Sequence, residues 1–168
     1  MRMLHIDAHH VRTGGFWFVA ALLLVLCGPA HAEDIDGTWK LVMRKLPDGT
    51  VQMPPTVQGR FTIKNGVQQL VVFWPTPEGK PASLSEIDRV ELSETEIAAT
   101  AVLVIFDDGG GKPPVYTVGG ETKRSPVTRQ GGRVSYQHPV HPPFVVREGD
   151  KITATLEGVF VDYWEKVQ

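Results

Sequence analysis

The chain has 168 residues, with 17 Lys and Arg against 19 Asp and Glu and a formal net charge of −2 at pH 7. So mild a balance speaks against nucleic acid or an anionic membrane surface as the main partner. A single cysteine excludes an internal disulfide framework, and the length suits one domain behind a leader.

Residues 1–32 read as a secretory signal peptide. Arg2 and Arg12 give a positive, His-rich opening, and Phe16 to Leu26 is an apolar run too short to span a bilayer comfortably. Ala30-His31-Ala32 is a small-x-small cleavage site. The expected mature domain is therefore 33–168, with a periplasmic or secreted address. Cys27 lies inside the leader behind Leu26 rather than a small residue, so lipidation is not expected and the mature chain has no thiol. No later apolar run reaches membrane length, so no stable membrane insertion is expected.

The mature chain opens on Gly37-Thr38-Trp39-Lys40-Leu41-Val42. Trp39, Leu41 and Met43 share one parity and Thr38, Lys40 and Arg44 the other, the mark of a strand with one buried face. A buried Trp39 calls for a partner to its indole N–H. Pro47-Asp48-Gly49-Thr50 is a turn. Gly59 to Lys64 alternates, with Phe61 and Ile63 inward on the side that Trp39 and Leu41 face. Asn65-Gly66 then predicts a tight hairpin returning as Val67 to Trp74.

Pro75 to Ser85, with its three prolines and Gly79, reads as a loop. Arg89–Leu92 and Glu96–Phe106 read as an antiparallel pair. Ser93 and Glu96 have the spacing of a helix capping box, but Val102, Val104 and Ile105 favour a strand. From 109 to 143 the composition turns to Gly, Pro, Ser and basic residues. Short strands are expected at Val115–Val118 and Arg133–Gln137 within what is otherwise long loop. Glu148-Gly149-Asp150 is a turn. Ile152, Ala154 and Leu156 share one face, Gly158 marks a bend, and Val159, Val161 and Tyr163 share the last apolar face. Turn-bounded strands without a clear long helix predict an all-β, antiparallel domain.

Gly37-Thr38-Trp39 and the closing Tyr163-Trp164-Glu165-Lys166-Val167 bracket nearly the whole mature chain. Together they resemble the two ends of bacterial lipocalin-like domains of the calycin superfamily. The resemblance implies a single up-and-down β-barrel, with Gly37, Trp39 and Trp164 as structural residues, Trp39 plugging one end and a pocket at the other. Lipocalins proper stack an Arg of the last strand over that Trp. No Arg follows Arg147 here, and Lys166, which lacks a planar guanidinium, is the available substitute.

The chemistry-bearing residues are sparse. His138 and His141 are the two histidines of 33–168, flanked by prolines that exclude a helical metal pair. Two ligands make a poor site without a third, and only Asp107, Asp108 or Glu121 stand out as completing one, so both read as ordinary loop histidines. Asp107-Asp108 and the Glu94/Glu96 pair read as solvated acids. Gly109-Gly110-Gly111-Lys112 lacks Walker spacing, and Ser125 and Ser135 lack a nucleophile elbow. No catalytic residue, metal or cofactor is expected. Phe61, Ile63, Phe73, Tyr116 and Tyr136 are the candidates to line a pocket for a small apolar or amphipathic molecule. Two other readings stand beside that one. One is a filled barrel that grips an envelope protein through 109–143. The other is a calycin-type enzyme with His138 or His141 as base, which requires a His inside a concave site.

Overall fold

The computed structural model describes residues 36–168. The expected leader and cleavage site lie outside the described residues. The strands are β1 (Gly37–Lys45), β2 (Val51–Gln52), β3 (Gln58–Lys64), β4 (Val67–Pro75), β5 (Pro81–Leu92) and β6 (Glu96–Asp107). They continue as β7 (Val115–Val118), β8 (Lys123–Gln130), β9 (Arg133–Gln137), β10 (Phe144–Glu148), β11 (Lys151–Leu156) and β12 (Phe160–Lys166). Every pairing is antiparallel between chain neighbours, apart from β2 and β7, which flank β1 and β6, and β12 closes on β1. The result is an all-β, closed up-and-down barrel of ten strands, consistent with a calycin-like fold.

Local chemistry explains most of the turns. Asn65 and Gly66 both hold positive φ, at 52° and 72°, as a two-residue hairpin whose twist matches its strands requires. The Ser93–Glu96 spacing closes a β-turn, with the Glu96 N–H donating to Ser93 Oγ at 3.0 Å, and Ile97 to Phe106 is strand. Two segments carry more strand than the sequence suggests. β5 begins at Pro81, so the loop after β4 is only a turn, and β8 crosses the Gly/Pro-rich region. Pro126 is tolerated in β8 because it sits where the strand changes partner. Lys123–Pro126 pair with β6 and Val127–Gln130 with β9.

The barrel's core starts from Trp39 and Trp164 on the closing strands, with Leu41, Val57, Val72 and Ile152. Phe61 packs between the two Trp rings, at 5.3 Å from Trp39 and 6.3 Å from Trp164. Both rings press on backbone that has no side chain. A Cβ at Gly37 would stand 2.7 Å from the Trp39 ring, and one at Gly59 would stand 2.7 Å from the Trp164 ring. The Trp39 indole N–H makes no hydrogen bond, against the sequence expectation. Its face instead takes two cations: Lys166 Nζ lies 5.7 Å from the ring centroid and the Arg147 guanidinium 6.0 Å.

Two inward faces differ from simple alternation. A bulge between Leu41 and Met43 shifts the β1 register, so Arg44 rather than Met43 follows Leu41 into the barrel. On β12, Leu41 pairs with Trp164 and Arg44 with Asp162, so the buried parity there is that of Asp162 and Trp164 rather than of Val161 and Tyr163.

Candidate functional site

The barrel is hollow: it holds a cavity of about 1030 Å³. Phe61, Leu70, Val72, Trp74, Val145 and Leu156 supply much of its apolar wall. Successive residues of a strand point to opposite faces, so Leu70, Val72 and Trp74 line it while Phe73 points out. Of the sequence candidates, Phe61 and Tyr136 lie on the cavity wall. Ile63 packs beside it with Val90 and Ala99. Phe73 and Tyr116 are 51% and 63% exposed and do not line it. Tyr116 belongs to β7, which covers the second half of β6 from outside the closed path.

Near the barrel end that carries the β1–β2 turn, Arg44 and Asp162 form a buried bidentate pair. Arg44 Nε donates to Asp162 Oδ1 at 2.6 Å and Nη2 to Oδ2 at 2.7 Å. The guanidinium also stacks 4.2 Å from the Phe160 ring centroid and 5.4 Å from that of Trp74. Burial pushes the Asp162 carboxyl above its ordinary value, against the pull of Arg44.

The polar patch of the wall lies elsewhere and is unexpected from sequence. Inward parity on β5 buries Glu86 and Asp88, the latter with no exposed surface. The β9–β10 connection, His138-Pro139-Val140-His141-Pro142-Pro143, turns inward: Val140 packs on Ile63, Val90 and Ala99. The histidines are therefore not ordinary loop residues. His138 is only 7% exposed, and both rings line the cavity with centroids 4.7 Å apart. His141 Nε2 lies 2.7 Å from Glu86 Oε2 and 3.0 Å from Asp88 Oδ2. Gln68 Nε2 donates to the same Asp88 oxygen at 2.9 Å and lies 3.3 Å from His138 Nε2. The third acidic partner is thus Asp88, with Glu86 beside it, rather than Asp107, Asp108 or Glu121.

Burial sets much of the electrostatics here. It holds the His138 imidazole down at about 4, helped by the neighbouring His141, so this ring is neutral. Burial also works against a charged His141, but the adjacent carboxyl groups of Asp88 and Glu86 outweigh it and hold that ring up at about 9. Glu86 is raised by burial, with His141 opposing. The Tyr136 phenol, near His138, is pushed up to about 12 by burial and stays a neutral donor. The wall therefore offers an apolar body of surface, a charged His–carboxylate cluster and a neutral imidazole.

Comparison with protein-family models, curated proteins and solved structures returns no match to this chain.

Proposed function

We propose that the protein is a lipocalin-like carrier of the periplasm or exterior that holds a small amphipathic molecule inside its barrel without transforming it. The observation that supports this reading is the interior cavity of about 1030 Å³, whose largely apolar wall also carries the Glu86–His138–His141 patch and the Arg44–Asp162 pair. Ligand pockets of about 300–1,000 Å³ bury most of a drug-sized molecule, with a few polar groups fixing its orientation. Apolar surface contributes roughly 25 cal/mol per Å² removed from water, before the cost of association. The apolar body of the ligand lies along Phe61, Leu70 and Leu156, and its polar end meets Glu86, His138 and His141. Trp39 with its two flanking cations supports the lipocalin-like kinship, since it puts positive charge on the first-strand Trp where lipocalins proper put an Arg.

A cavity-blocking variant tests this. N-phenyl-1-naphthylamine, an apolar dye that brightens when buried, should bind saturably and one to one. Ala154→Trp, which fills space on the β11 wall, should weaken that binding by about tenfold or more, or roughly 1.4 kcal/mol, with unchanged circular dichroism. Equal binding by both proteins would contradict the reading.

A calycin-type isomerase or hydrolase is the second reading. It is favoured by one observation: both histidines sit on a concave wall, and His141 is paired with carboxylates. A bound molecule recovered chemically altered after incubation with the protein would favour it over the carrier.

A further inference from the structure

The Glu86–Asp88–His138–His141 cluster has more acceptor atoms than protons to satisfy them. His141 Nε2 carries at most one proton, yet two carboxylate oxygens lie 2.7 and 3.0 Å from it. Only the Asp88 oxygen is in hydrogen-bonding geometry with it, and Glu86 Oε2 has no hydrogen bond. Asp88 Oδ1 and His138 Nδ1 are also buried without a partner. Orphaned polar atoms at this depth cost free energy unless something else meets them. A proton serves one acceptor; a cation with several coordination positions serves several.

We propose that Asp88, His138 and His141 bind a divalent transition-metal ion on the cavity wall, with Glu86 as a fourth donor within reach. One donor atom from each of the three residues already lies within 4.8 Å of the others. Ligand bonds of about 2.0–2.2 Å place donor atoms roughly 3–4 Å apart, so the side chains need close by only about an ångström. Two imidazoles with carboxylate select a transition metal such as zinc over calcium or magnesium. Two carboxyl side chains meet the two imidazoles in this cluster, and the buried Arg44 is occupied by Asp162. The Gln68 amide, donating to Asp88 Oδ2, is the kind of outer contact that orients a ligating carboxylate. Pro139, Pro142 and Pro143 stiffen the connection that carries both histidines. Glu86, His138 and His141 line the cavity, so the ion's remaining positions would open onto it.

Cobalt titration of the untagged, chelator-treated full chain, followed by visible absorption, tests the site. The expected result is one tightly bound cobalt per chain with ligand-field bands. Those bands should be lost in His138→Gln and His141→Gln, and binding weakened by about 10–100-fold in Gln68→Met, which removes the outer contact. In the unsubstituted protein, one equivalent of zinc should shift the ring signals of His138 and His141 together, a readout independent of any variant's folding. No one-to-one uptake, or bands that persist in both histidine variants, would overturn the proposal. Persistent bands would place the ion on the leader histidines His5, His9, His10 and His31. Zinc that leaves the His138 and His141 signals in place would overturn it as well.

Discussion

Arg44 and Asp162 show how one residue pair shapes the barrel interior. A buried ion pair adds little net stability, because desolvating two charges roughly offsets their attraction, yet removing one partner strands the other. Arg44→Met should therefore cost about 3–5 kcal/mol in urea unfolding. Arg44→Met with Asp162→Leu should regain most of it. The pH dependence follows from the stranded acid. Buried without its cation, Asp162 has a folded-state pKa above its unfolded value of about 3.9. Stability linked to this group is then fully present below the unfolded pKa and lost as pH rises through the folded one. The single variant should thus lie closer to wild type near pH 4 than near pH 7. An equal deficit at both would show that Asp162 is not held buried and unpaired. None of this follows from the strand pattern alone. Arg44 falls on the wet parity of an ideal strand, and only the bulge after Leu41 turns it inward.

At the scale of elements, the β3–β4 hairpin decides which aromatics meet the cavity. A two-residue Asn-Gly turn pairs Lys64 with Val67, and hence Phe61 with Leu70 and Gly59 with Val72. Phe61 faces inward, so Leu70, Val72 and Trp74 do too, and Phe73 points outward. That register was legible in the sequence; reading the aromatics as one set obscured it. Phe73→Gln should change stability by no more than about 0.5 kcal/mol. Phe61→Ala, which empties the space between Trp39 and Trp164, should cost about 3 kcal/mol in the same unfolding measurement. Comparable losses from both would put the hairpin register in error. The polar wall was not legible in this way. Glu86 and Asp88 share a parity with Leu84 and Val90, and acids on a strand are ordinarily solvated. Their burial rests on Gln68 and on histidines some fifty residues later in sequence. His138 and His141 carried a visible signal, a Pro-braced pair, but nothing local to say that the connection folds inward.

Within the described residues, Trp39 lies in the core near the start of β1, the Arg44–Asp162 pair lies near its end, and the Glu86–His138–His141 patch sits on the cavity wall. Strand alternation and turn residues made an antiparallel all-β domain readable, because those signals are local and agree with one another, while closure into a barrel entered only as what the resemblance of the Trp-bearing ends implies. The interior has room for a ligand, with a cavity of about 1030 Å³. What fills it is the central question. Native mass spectrometry on protein recovered from the envelope fraction of its own host, set against the denatured mass, addresses it most directly. The carrier reading expects a releasable extra mass of a few hundred daltons, the scale of a molecule that a pocket of this kind buries. A bare polypeptide mass that persists after exposure to host lipid extract would contradict it.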